Sequence, residues 1–205
     1  MQLTRRARHH AVAVFSYLSV ASAQTFLEAI SQYSQLDNFT TLMTNNPGLA
    51  GALLTSNASS LTQTTVLVPD NSAFDKLQTL LGVPVGSLSV AQLEPILSYH
   101  VLVNELTSDN FTVENGTTQP TFLTGELYNN RSAGAALGSS GAEGDPNNGQ
   151  VVFIEAKDDP IDARRFTVRQ LPSPEVEVKG GLGHIINMTA VDGRWDGGVF
   201  QIVDK

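Results

Sequence analysis

The stretch TTVLVPDNSAFDKLQTLLG, Thr64 to Gly82, limits the fold more than any other part of the chain. Val66, Leu67 and Val68 form an unbroken apolar run. A run without polar alternation suits a strand buried on both faces, so it belongs inside a sheet. Pro69 ends the run, because proline has no N–H to give the ladder. Asp70, Asn71 and Ser72 are all good N-cap residues, and Asp75 stands three after Ser72 in capping-box spacing. Phe74, Leu77 and Leu81 then share one helical face, with Ala73 and Leu80 beside it, and Gly82 suits the C-terminal cap. A buried strand is thus handed directly to an amphipathic helix. The expectation is scaffold: Phe74 and Leu77 plug the core, and nothing at the junction performs chemistry.

The rest of the chain divides around this junction. Before it, Phe26, Ile30 and Tyr33, then Leu36, Phe39, Leu42 and Met43, recur at helical spacing. Asn46-Pro47-Gly48 is a stop, and Leu49, Leu53 and Leu54 make a further apolar face. After it, Ser89 and Gln92 have capping-box spacing ahead of Leu93, Ile96, Leu97 and His100, with Pro95 in the first turns. The chain turns strand-like at Val101 to Val103. Beyond Asn110 the period drops to two, and strands are expected at Phe111–Val113, Pro120–Leu123, Val151–Glu155, Arg165–Arg169, Glu175–Lys179, His184–Val191 and Val199–Val203. Gly193 to Gly198 reads as a tight hairpin turn carrying Trp195. The Gly/Ser-rich segment 132–149 reads as a flexible surface insertion. Helices crowd the first half and strands the second, which predicts an α+β domain: a β-rich sandwich or barrel with helices packed to one side.

The N-terminus has its own pattern. Arg5, Arg6 and Arg8 precede the apolar run Ala11 to Val20, and Ala21 and Ala23 supply small residues at a cleavage site. That order is a secretory signal peptide, with Gln24 as the first mature residue. The apolar run is shorter than the roughly 20 residues that a spanning helix needs. The formal net charge is −8, and losing the three arginines makes it more negative. Such a chain repels nucleic acid and anionic lipid. There is no cysteine, so an ordinary hydrophobic core has to hold a secreted chain together, and thiol chemistry is excluded. Six Asn-x-Ser/Thr triplets begin at Asn38, Asn57, Asn110, Asn115, Asn130 and Asn187. Composition alone predicts about two, and the excess favours a glycoprotein of the secretory pathway.

Three motifs resemble the signature boxes of the fasciclin domain family. TTVLVPDNSAFDKL is similar to the first box, ILSYHVL (Ile96 to Leu102) to the Tyr-His box, and GGVFQIVDK (Gly197 to Lys205) to the last. They occur in the family's order, and the resemblance covers essentially all of Gln24 to Lys205. Gln201 stands where the last box usually has His. The resemblance implies one fasciclin domain over 24–205, a β-sandwich wedge with a helix cluster. It implies a non-catalytic role in cell adhesion or in matrix or cell-wall contact, outside the cell, at its surface or in the vacuole. Expected partners are extracellular or cell-surface proteins or glycans. Membrane attachment is expected only through an anchor beyond Lys205, where the family pattern adds a few apolar residues and a proline.

In animal relatives the Tyr-His region is tied to partner binding, which points to Tyr99 and His100 with Ile96, Leu97, Val101 and Leu102. The residues themselves also fit a core role, because a buried Tyr or His finds backbone partners for its polar end. His100 and His184 are the two histidines after Ala23, too few for a usual zinc site, so no metal and no cofactor are expected. Gly138 to Gly141 lacks the spacing of a nucleophile elbow. Glu155, Asp158, Asp159 and Asp162 form the densest acidic group, which reads as a solvated surface. Two alternatives accompany the adhesion reading: a secreted module that holds a small apolar ligand or a polysaccharide, and a hydrolase that uses the acidic group.

Overall fold

The computed structural model describes residues 24–55, 63–112, 116–124, 149–156, 176–180 and 185–205. The expected signal peptide, the expected 132–149 insertion apart from Gly149, and the strand expected at Arg165–Arg169 lie outside these residues.

Helices α1 (Phe26–Ile30), α2 (Asp37–Asn45) and α3 (Pro47–Thr55) precede strand β1 (Thr64–Pro69). Helix α4 (Asn71–Leu81) follows at once, and α5 (Val90–Tyr99) leads into β2 (Val101–Leu102). Strands β3 (Thr117–Pro120), β4 (Val151–Ala156), β5 (Val176–Lys179), β6 (Ile185–Trp195) and β7 (Gly198–Val203) complete the chain. The α+β expectation holds.

The seven strands form one mixed sheet in the order β2-β1-β7-β6-β5-β4-β3. The buried run at Val66–Val68 does lie inside it, parallel to β7 on one side and antiparallel to β2 on the other. The sheet curls until its ends meet. Leu102 forms a bridge to Thr121, the Val103 amide donates to Pro120 O, and the Phe122 amide donates to Val101 O. The two faces expected of a sandwich are therefore made by one sheet rolled on itself. Gly198 makes the β1–β7 approach possible. Its φ is 146°, and a Cβ there would stand 2.0 Å from Thr64 O.

Period-two alternation along β1 and β7 divides the interior into two cores. Val66, Val68, Phe200 and Ile202 face the helices and pack with Phe26, Ile30, Phe39 and Leu97. Leu67 and Val203 face the inside of the roll and pack with Phe111, Ile154, Val178 and Met188. Both cores are apolar enough to hold the fold without disulfides.

The caps at the Pro69 junction differ from those drawn from the sequence. Asp70 is the N-cap, its Oδ1 accepting from the Ala73 amide at 2.9 Å. Ser72 donates to the Asp70 carboxylate instead of capping. Asn71 supports a second helix: its Oδ1 accepts from the Asn38 amide and its Nδ2 donates to Ser34 O. It serves α2, whose own N-cap residue, Leu36, has no side-chain cap to offer. Phe74 and Leu77 are half-buried at the margin of the helical core and do not plug it, while Leu80 is 82% exposed and Leu81 43%. The buried member of that region is Ala73.

Two strand expectations also change. Phe111 is fully buried, but in a 3-10 helix at Ser108–Thr112. Its ring inserts into the inner core, which gives an apolar residue a reason to be there without a ladder. The pairing expected at Pro120–Leu123 ends at Pro120, and Thr121 makes the closing bridge. Ser89 and Gln92 form the expected capping box, and the Asp196-Gly197 turn joins β6 to β7 as a hairpin.

Candidate functional site

The Tyr-His segment is placed by the end of α5. His100 is the C-cap of that helix, and its carbonyl accepts from the Leu67 amide at 2.8 Å. Its ring returns the contact: Nδ1 lies 3.0 Å from Leu67 O. A carbonyl oxygen only accepts, so Nδ1 carries the hydrogen. Burial pushes the His100 pKa below the usual histidine range, against the opposing pull of the Leu67 bond, and the imidazole is neutral at physiological pH. Val101 and Leu102 follow as buried strand, 2% and 0% exposed, and Leu97 is 4% exposed in the helical core. Tyr99 is half-buried against the inner core, with its hydroxyl beside Gly180. Ile96 faces solvent. Of the six candidate residues, then, Leu97, Val101 and Leu102 are inside, while Ile96, Tyr99 and His100 keep accessible surface.

His100 and Ile96 share a feature that the sequence reading did not mark, a cleft of about 500 Å³ between α4 and α5. Phe74, Leu77 and Leu80 line it from α4; Leu93, Ile96 and Leu97 line it from α5. Lys76 and Lys205 belong to its lining as well. Beside it, Leu81, Val83 and Val90 are also exposed, at the end of α4, within the connection 82–89 and at the start of α5. The visible signal was the run Leu80, Leu81, Val83, Val85 and Leu88: more apolar residues than one helix face and a turn require.

A polar network lies where β6 and β7 diverge. The pairing register shifts between Thr189 and Gly193, and Asp192 takes a positive φ of 46°. Gln201, fully buried, fills the gap. Its Oε1 accepts from the Val191 and Asp192 amides, and its Nε2 donates to Leu106 O and to Asp192 Oδ1. Ser108 donates to the same carboxylate from its amide and its hydroxyl. Burial works to raise the Asp192 pKa, but the bonds from Ser108 and Gln201, with Arg194 nearby, hold it below the usual carboxylate range. Every polar group in this network is engaged within the protein, so it acts as a clasp.

Glu155 is the described member of the acidic group. It pairs with Lys179 across β4 and β5, and the bond to Glu155 first, with the charge of Glu177 added, raises the Lys179 pKa. Asp158, Asp159 and Asp162 lie outside the described residues. Among the described residues no cluster of potential metal ligands occurs, and no helix is long and apolar enough to cross a membrane. Asn38, Asn110 and Asn187 are exposed. The Asn187 amide nitrogen, where a glycan would attach, donates to Asp204. Asn57, Asn115 and Asn130 lie outside the described residues, as does His184.

Comparison with known proteins agrees with this architecture. No curated protein matches the chain. Among solved structures, the chain is similar to a FAS1 domain pair from the insect cell adhesion molecule Fasciclin I. The TM-score is 0.51 at 16% identity, with 84% of this chain and 45% of that one covered. At that identity the likeness is one of fold, and this chain spans less than half of that pair. The model of the Fasciclin domain matches residues 34–155. That match covers more than half of the chain, and the chain belongs to the fasciclin domain family, which is known for cell-adhesion proteins and is typically extracellular or at the cell surface.

Proposed function

We propose that Gln24 to Lys205 is a non-catalytic extracellular or cell-surface domain, released behind a signal peptide at residues 1–23, that acts in adhesion or in matrix or cell-wall contact. The observation that carries this reading is the exposed apolar surface at the α4–α5 turn. Of the six large hydrophobic side chains exposed among the described residues, five belong to this region: Leu80, Leu81, Val83, Val90 and Ile96. A concentrated apolar patch on a secreted domain marks a surface that another molecule covers. Aliphatic side chains without an aromatic platform favour a protein partner over a glycan. Family membership and the glycosylation triplets support the same reading.

The test starts from expression in a eukaryotic host. The secreted protein should begin at Gln24 and lose mass when Asn-linked glycans are removed. Immobilised on beads, it should retain extracellular wall or matrix material from the source organism. An intact N-terminus without a mass change, or beads that retain nothing, would contradict the proposal.

A further inference from the structure

The α4–α5 cleft has a chemistry of its own. Its volume of about 500 Å³ lies within the roughly 300–1,000 Å³ typical of sites for small organic ligands. Leu77 and Leu80 face Ile96 and Leu97 across an aliphatic slot. The one imidazole in its lining, His100, is uncharged and has its Nδ1 hydrogen on Leu67 O. The lining side chains that carry a fixed charge are Lys76 and Lys205, both cationic. That bias runs against the chain, which has 20 acidic residues to 12 basic ones.

Both lysines lie near the Asp204 carboxylate, which their charges stabilise, but neither donates a hydrogen bond to it. Lys76 Nζ donates to the Asp204 carbonyl at 2.7 Å and stands 3.7 Å from the Asp204 carboxylate. Lys205 Nζ donates to Ile185 O at 3.1 Å. An ammonium has three hydrogens to donate, so each retains capacity for an anion. The Asp204 carboxylate is held from the other side by the Asn187 amide and Nδ2, at 2.9 and 3.0 Å. Lys76 adds to that hold by its charge, and if it turns to a ligand the Asn187 bonds still partner Asp204.

We propose that this cleft binds a single-chain amphiphile with an anionic head, of the fatty-acid class, its tail lying between α4 and α5 and its head at Lys76 and Lys205. The site adjoins the adhesion surface and shares Leu80 and Ile96 with it, while Leu81, Val83 and Val90 do not line it.

The test is titration of the full secreted chain with decanoate and with methyl decanoate, which keeps the tail and lacks the charge. Decanoate should bind saturably, one molecule per chain. Methyl decanoate should bind about tenfold more weakly, and Lys76→Gln should weaken decanoate about threefold while leaving the ester unchanged. Leu77→Trp and Ile96→Trp should each block both compounds by filling the slot. Melting identifies which variants fold, and Ile96, being exposed, provides a filled cleft if Leu77→Trp does not fold. Leu81→Asp should bind decanoate as wild type does, even where adhesion is lost. Absence of saturable binding to the folded wild type overturns the proposal, as does binding that survives in a folded tryptophan variant. Equal affinity for acid and ester overturns the assignment of the head to the lysines. Binding to phosphatidylglycerol vesicles that neither tryptophan variant disturbs would place the affinity on the outer surface and also contradict it.

Discussion

His100 and Leu67 hold each other by two hydrogen bonds: the Leu67 amide donates to the His100 carbonyl, and His100 Nδ1 donates to the Leu67 carbonyl. The Tyr-His segment is in this way fastened to the middle of β1. His100→Phe keeps the bulk of the ring and leaves Leu67 O without its side-chain donor. Stability should fall by about 1–3 kcal/mol. Chemical denaturation measures it, and a loss under about 0.5 kcal/mol would mean that the bond contributes little.

The same histidine predicts a pH dependence. Its pKa is lowered in the folded state, chiefly by burial. The unfolded chain therefore takes up the proton first, and stability is complete above the ordinary histidine value of about 6.5 and lost as pH falls below it. The melting temperature of wild type should drop between pH 7 and pH 5 by more than that of His100→Gln. His184 is present in both proteins, so the difference isolates His100. Parallel curves would contradict the neutral assignment.

Gln201 closes the β6–β7 irregularity. Gln201→Leu would leave the Val191 and Asp192 amides and Leu106 O buried without their partner. The cost should be about 2–4 kcal/mol, above that of an ordinary surface change. Asp192, whose pKa is held down by the same network, adds stability that is present above about pH 4 and lost on acidification below it. Gln201→Leu should therefore also weaken the acid sensitivity of unfolding, read as a smaller slope of stability against pH in that range.

Phe74→Ala separates a plug from a margin. A fully buried aromatic costs about 3–5 kcal/mol to remove. Phe74 is half-buried and lines the cleft, so the loss should be about 1–2 kcal/mol, in line with its smaller buried area. Phe39, which is 2% exposed and stacks edge-on against it, should show the larger value on the same substitution. Equal losses would contradict this placement.

Local sequence was most readable where one principle acted alone. The unbroken run Val66–Val68 could be satisfied only inside a sheet, and it lies there. Ser89 and Gln92 satisfied each other as their spacing required. Where several residues competed, tertiary contacts decided. Asp70, Asn71 and Ser72 could each cap α4; Asp70 does so because Asn71 is drawn across to Asn38 and Ser34. Leu80 and Leu81 looked like core by periodicity, but α5 and β1 do not cover that end of α4. The cleft followed from that gap, which no window of sequence could reveal. Phe111 had the composition of a strand residue and serves the inner core from a 3-10 turn. The family boxes pointed to the Tyr-His segment, but which of its side chains reach the surface depended on how α5 meets β2.

In the proposed adhesion role the α4–α5 connection supplies the contacting surface, and the β2 end of the Tyr-His segment supplies scaffold. Retention of extracellular wall or matrix material by the immobilised domain, measured with melting on the same samples, tests it most directly. Leu81→Asp with Val83→Asp should keep the melting temperature within about 2 °C and reduce retention about tenfold, as loss of a contact centre does. Val101→Ala should lower the melting temperature and reduce retention only as far as the protein unfolds. Full retention by the folded Leu81→Asp, Val83→Asp variant would contradict the claim.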